Sequence, residues 1–131
     1  GETIYRAMGE MCENWGKELP GKYGYSGVGA VVGATYPAQL GELRKAMPHT
    51  FFLVPGYGAQ GGAADDVAPA FDARGLGAIV NSSRGIMCAW QKEGCPEEEY
   101  AAAARREALR MRDAIREAIV GRVGKILLEE V

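Results

Sequence analysis

Three short apolar runs without polar alternation constrain this sequence most: residues 28–34, Phe51–Val54 and Ala78–Val80. Runs of this kind, rich in β-branched and aromatic residues, suit strands covered on both faces, as in a parallel sheet. A stretch of helical periodicity flanks each one. Before the first, Ile4, Met8, Met11, Trp15 and Leu19 recur at spacings of four and three, which places them on one face of a helix that Pro20 and Gly21 stop. Between the first two runs, Pro37 suits the opening turn of a helix, Leu40, Leu43 and Met47 form its stripe, and Pro48 ends it. Between the second and third, Asp65 and Asp66 open a short helix with Val67, Ala70 and Phe71 inward and Gly75 as its cap. After the third, Pro96 and Glu97 to Glu99 lead into a long helix. Its predicted stripe is Tyr100, Ala104, Ala108, Met111, Ile115 and Ile119, and Gly121 is the place for a break or bend.

Strands alternating with helices imply βαβ units, so residues 28–34, 51–54 and 78–81 are expected as adjacent parallel strands in that order. Three such strands are few to close a core, and the first helix has no strand before it. The pattern therefore reads as an excerpt from a larger sheet. A complete (β/α)₈ barrel takes about 250 residues; this chain has 131, and all of residues 1–131 are read as a single partial domain.

Composition closes off several functions. Apolar residues make up 47% and charged residues 24% of the chain, the balance of a soluble globular protein. A net charge of −2, with acids and bases interspersed, leaves no field to hold nucleic acid. No apolar run approaches the roughly 18 residues of a membrane span. Cys12, Cys88 and Cys95 form no CxxC pair, which points to free thiols in a reducing cytoplasm. His49 stands alone between Pro48 and Thr50, a solvated loop residue rather than a metal ligand. The chain opens on Gly1 without a methionine, consistent with a piece of a longer protein.

In folds of this class the chemistry lies where strands end and loops begin. Three loops qualify: residues 33–37, 55–64 and 81–85. The middle loop holds Pro55, Gly56, Gly58, Gln60, Gly61 and Gly62. Its glycines let backbone N–H groups approach an anion, and the Gln60 amide can donate to one part of a ligand while accepting from another. Gly56 to Gly61 also fits GxGxxG, yet a dinucleotide fingerprint should open a helix directly. Here the helix waits behind Asp65 and Asp66, which would repel phosphate, and no ribose-binding acid stands some 20 residues on. In the third loop the planar fork of Arg84 suits phosphate, with the Ser83 N–H beside it. A surface Arg in an ion pair is the bland reading; the Gly-rich loop one βα unit upstream favours phosphate.

Three motifs in order carry a resemblance: Val31-Val32-Gly33-Ala34-Thr35-Tyr36-Pro37, the stretch from Leu53 to Gly62, and Val80-Asn81-Ser82-Ser83-Arg84-Gly85. They resemble the second bacterial type of orotidine 5′-phosphate decarboxylase, from about Ile4 to Lys92 and into the last helix. The resemblance implies the C-terminal portion of a (β/α)₈ barrel, helix 5 followed by strands 6 to 8 with their helices. It implies loss of CO₂ from orotidine 5′-phosphate to give UMP, in pyrimidine biosynthesis, without metal or organic cofactor, by a cytoplasmic homodimer. Arg84, Ser83 and Gln60 would then hold the phosphate, Pro55, Thr35 and Ala34 would line the base pocket, and Gly56, Gly58, Gly61 and Gly62 would shape the loop. The family's proton donor is a lysine in an Asp-x-Lys-x-x-Asp array, and none of Lys17, Lys22, Lys45, Lys92 or Lys125 sits in one. No catalytic residue is therefore expected in this chain, and the chain alone is expected to be inactive. The alternatives are the phosphate site of another ribulose-phosphate-type barrel and a small non-enzymatic module for a phosphorylated ligand.

Overall fold

The computed structural model describes residues 1–58 and 63–129, the backbone alone at 126–128. Three parallel strands, β1 (Gly29–Val31), β2 (Phe51–Val54) and β3 (Ala78–Val80), lie in the order β1-β2-β3. Ala30 stands against Phe52, and Leu53 against Ile79. The adjacency and direction expected from the alternation hold, although β1 is shorter than its apolar run.

Helices follow the punctuation of the sequence. Helix α1 spans Ile4–Gly16, and α2 spans Pro37–Ala46 with the proline in its first turn. Helix α3 (Ala64–Val67) continues into a 3-10 turn, Ala68–Ala70. Gly75 takes a left-handed φ of +74° but caps no helix. That turn closes earlier, and the Gly75 N–H instead donates to Asp72 O at 2.9 Å. Two short helices, α4 (Ser83–Met87) and α5 (Ala89–Glu93), precede α6, which runs unbroken through Gly121 from Tyr100 to Glu129. Of the stripe predicted for α6, Met111 and Ile115 are buried; Tyr100 and Ala108 are exposed, and Ala103 is buried in their place.

The core lies on one side of the sheet. Leu40, Leu43 and Met47 of α2, Val67 and Ala70, and Met111 and Ile115 of α6 pack around Phe52 and Val54, both 0% exposed. The strands are not covered on both faces, contrary to their unpatterned sequence. Val31 (69% exposed), Ile79 (58%), Phe51 and Leu53 face away from the helices. Side chains alternate along a strand, and among the described residues the helices supply a layer to one face only.

Helix α1 shows the same division. Its stripe of Ile4, Met8, Met11 and Trp15 is exposed, Ile4 at 84%. The side that packs carries Tyr5, Gly9 and Cys12. A Cβ on Gly9 would lie 2.8 Å from the sulfur of Met47 and 2.9 Å from a Leu43 methyl, so its bare backbone lets α1 close on α2. Polar bonds hold the same seam: Tyr5 donates to Glu42 at 2.9 Å, and Arg6 pairs with Glu42 at 2.9 Å.

The N-terminal edge of the sheet is fastened by Arg44, a buried side chain. Its guanidinium donates to Gly77 O (3.0 Å), Thr50 O (2.7 Å), Ala70 O (3.3 Å) and Met47 O, and it lies 4.1 Å from the centre of the Phe52 ring. One planar fork thus ties the chain before β2, the chain before β3, and the ends of α2 and the 3-10 turn. Nearby, His49 is not simply solvated. Its backbone N–H and its Nδ1 both meet Glu13 Oε1, at 3.1 and 2.7 Å, and Thr50 Oγ donates to Glu13 Oε2 at 2.6 Å, pinning α1 to the turn before β2.

Candidate phosphate site at the C-terminal edge of the sheet

The parallel strands deliver their following loops to one edge. Val54 stands against Val80, and the Asn81 N–H donates to Val54 O at 2.9 Å, so the chains leaving β2 and β3 start side by side. Beyond that rung the backbone ladder ends. Pro55 is half-buried, and Gly56 and Gly58 adopt φ of +92° and +78°, a region where a side chain would be strained. Tyr57 packs against the core, and burial, more than the nearby Glu107, pushes its phenol above the ordinary range. Gln60, Gly61 and Gly62 lie outside the described residues.

On the neighbouring strand, Ser82 precedes α4, and Ser83 and Arg84 are the first residues of that helix rather than of a loop. Ser82 is buried, and its hydroxyl donates to Tyr57 O at 2.9 Å. Asn81 Nδ2 donates to Ser83 Oγ at 3.1 Å. Arg84 is exposed, and among the described residues no hydrogen bond or ion pair engages its guanidinium. The bland reading required an acidic partner for it, and none is present among the described residues. Of the exposed arginines of α6, Arg106 and Arg110 both bind Glu93, at 2.7 and 3.0 Å, whereas Arg105 and Arg116, like Arg84, have no side-chain partner among the described residues.

The structure thus brings Pro55, Gly56 and Gly58 beside Ser83 and Arg84 through Ser82. Ala34 and Thr35 follow β1. The Ala34 side chain belongs to the core, and exposed Thr35 lines an open groove of about 620 Å³ between α1, β1 and α2, together with Gly33, Tyr36, Met8 and Cys12. No hydrogen bond among the described residues joins the loop after β1 to Arg84. At the N-terminus of α3, Asp66 accepts the Ala63 N–H at 2.8 Å, which puts a carboxylate at the helix end where a dinucleotide fingerprint would seat its phosphates. Among the described residues no group of His, Cys, Asp and Glu could hold a metal, the three cysteines are free, and no helix is long and apolar enough to cross a membrane.

Sequence reasoning missed Ser82 and Arg44. Ser82 had a weak signal, a small polar residue directly after a buried strand. Nothing in the local pattern marks Arg44 apart from any other arginine of an amphipathic helix.

No family model matches the chain. A curated orotidine 5′-phosphate decarboxylase of Rhodopirellula baltica is 52% identical over 120 residues, 92% of this chain and 37% of the relative. One of Clostridium tetani is 45% identical over 119 residues, 91% of this chain and 41% of the relative. This chain resembles the orotidine 5′-phosphate decarboxylases. Among solved structures, a putative orotidine-monophosphate-decarboxylase of Toxoplasma gondii superposes with a TM-score of 0.67 at 29% identity, covering 88% of this chain and 43% of that one. The UMP synthase of Leishmania donovani does so with a TM-score of 0.61 at 36% identity, covering 88% of this chain and 23% of that one. The chain spans 37% to 41% of the length of the curated decarboxylases cited above.

Proposed function

We propose that this chain is the phosphate- and pyrimidine-binding portion of an orotidine 5′-phosphate decarboxylase. In this reading β1, β2 and β3 are strands 6 to 8 of a (β/α)₈ barrel, and residues 1–131 form one partial domain of it. The open face of the sheet, lined by Val31, Phe51, Leu53 and Ile79, becomes the barrel interior, which in such folds is filled by branched side chains from all strands. The observation that carries the reading is the placement of Arg84. It stands at the C-terminal edge of the sheet, is free of an acidic partner among the described residues, and is joined to the Gly-rich loop through Ser82.

The chemistry divides accordingly. Decarboxylation breaks the bond between the pyrimidine ring and its carboxyl group. CO₂ leaves, and the electron pair stays on the ring carbon until a proton replaces it. The proton donor lies outside this chain, since none of its lysines sits in the required acid–lysine array. Arg84 and the Ser83 N–H grip the 5′-phosphate, Gln60 reaches from the phosphate toward the base, and Pro55, Thr35 and the Ala34 backbone border the pyrimidine. Binding energy gathered at the phosphate, far from the reacting carbon, favours the charged transition state when the two ends are rigidly related. The enzyme so described is cytoplasmic and homodimeric.

The test is catalytic. The full-length protein that carries this chain should convert orotidine 5′-phosphate to UMP, followed by the loss of substrate absorbance. The purified 131-residue chain should show no turnover above the uncatalysed rate. Turnover by the chain alone would place a proton donor among its own residues and overturn the division of labour.

A further inference from the structure

Among the described residues, one side chain joins the turn that carries Arg84 to the loop after β2. Ser82 is 7% exposed, and its hydroxyl donates to Tyr57 O at 2.9 Å, across 25 residues of chain. The last rung of the backbone ladder is the bond from Asn81 N to Val54 O. Past it, this hydroxyl is the hydrogen bond among the described residues that relates the two loops. On one side of it stand Pro55 and Gly56; on the other stand Ser83 and Arg84. Room for the hydroxyl is made by Gly85. A Cβ there would come within 2.3 Å of Ser82 Oγ, but would stand 3.6 Å from Ser82 Cβ. A hydroxyl removed from water keeps its acceptor, because leaving it unpaired is unfavourable. Ser82 is therefore held in one arrangement.

Resting on the function proposed above, we infer that Ser82 is a positioning residue that sets the register between the pyrimidine end of the site, at Pro55, and the phosphate end, at Ser83 and Arg84. A substrate that occupies both ends at once depends on that register, and one that occupies only the base pocket does not. Uniform support of the fold would instead affect both substrates alike. The inference concerns the separation of two subsites, so its signature is a difference between substrates rather than a loss of activity as such.

The experiment compares orotidine 5′-phosphate with orotidine, the same nucleoside without phosphate, in the full-length protein that carries this chain. Ser82→Ala is expected to lower kcat/KM at least tenfold for the phosphorylated substrate and less than twofold for orotidine. Equal losses on the two would overturn the inference. Gly85→Ala supplies an independent arm. Its methyl displaces the Ser82 hydroxyl, so it should reproduce the split. The double variant should be no worse than Gly85→Ala alone, because without Oγ the new methyl makes only an ordinary contact. Additive losses would overturn the coupling. If Ser82→Ala does not fold, Ser82→Cys keeps the side-chain shape with a much weaker donor and is read by the same split. No turnover of orotidine 5′-phosphate by the unaltered protein defeats the functional reading and this inference with it; equal losses with an active parent defeat this inference alone.

Discussion

Arg44 and Arg84 stand at opposite edges of one sheet and use their donors in opposite ways. Arg44 is buried, stacked on Phe52, and donates to the carbonyls of Met47, Thr50, Ala70 and Gly77. Arg84 is exposed at the start of α4, and among the described residues nothing accepts from it. The same residue type is thus a fastener where strands begin and, among the described residues, a side chain without an acceptor where they end. The difference follows from a parallel sheet. All strands enter at one edge, where their backbone groups can be tied together, and leave at the other, the edge whose loops carry the sites in folds of this class.

The largest expected effect tests the exposed arginine. On the proposed function, Arg84→Ala in the full-length protein removes two charge-assisted hydrogen bonds to phosphate, each worth roughly 1.5–3 kcal/mol, so kcat/KM for orotidine 5′-phosphate should fall by about two to four orders of magnitude. No other side-chain removal within this segment should cost as much. The thermal midpoint should stay within about 1 °C, since among the described residues the side chain makes no hydrogen bond or ion pair. A kcat/KM within threefold of the parent would end the phosphate role.

Arg44→Met should do the reverse. It leaves carbonyls at the sheet's entry edge without a donor, each unsatisfied group costing roughly 1–3 kcal/mol. We expect a loss of about 3–4 kcal/mol in denaturant unfolding, part of the cost being relieved by water, with kcat/KM per folded molecule within about twofold. A stable variant with crippled catalysis would erase the contrast between the edges.

A smaller effect reads the open face. Ile79 is 58% exposed here, yet it should be lined by neighbours in the full-length protein. There, Ile79→Ser should cost about 2 kcal/mol, the scale of burying one aliphatic side chain. A cost under about 0.5 kcal/mol, typical of a surface site, would mean that the face stays in water and that no barrel closes over it.

The smallest effect is one of pH. Burial by itself would raise the pKa of Glu13, but the bonds from Thr50 and His49 outweigh it and the net displacement is downward. A carboxyl held lower in the folded state adds stability above its unfolded pKa, and that stability is lost as pH falls through the folded value. The contribution, about 1 kcal/mol because His49 is largely in solvent, should be lost progressively as the pH falls below the unfolded value of about 4.3. Glu13→Gln should flatten the acid limb of stability against pH. An unchanged slope would show that α1 is not pinned through this carboxylate.

Much of this architecture was legible from local pattern. The apolar runs at 51–54 and 78–80 became strands at those residues, Pro37 opened α2, and Leu40, Leu43 and Met47 faced the core. These depend on the strand preference of short β-branched and aromatic runs, on the 3.6-residue period of helices and on the backbone limits of proline, properties a short window carries by itself. Of the candidate site, the position along the chain was legible: Arg84 and the glycines at 56 and 58 follow the C-terminal ends of β3 and β2, and Thr35 follows β1, where it lines the groove between α1, β1 and α2.

What the sequence by itself determined, then, is which segments are strands and helices, and their order. The tertiary structure alone decided which face those elements show to one another. Phe51 and Phe52 are the same residue type, yet one is part-exposed and the other fully buried. In α1 the apolar stripe points outward, while the seam is made by Gly9, a residue whose contribution is to be small. Ser82 meets Tyr57 across 25 residues of chain, and Arg44 meets Gly77 across 33. A hydrophobic period says that a face wants cover without saying what covers it, and a lone polar residue carries no mark of a partner so distant along the chain. Those pairings exist only once the sheet has set its strands side by side.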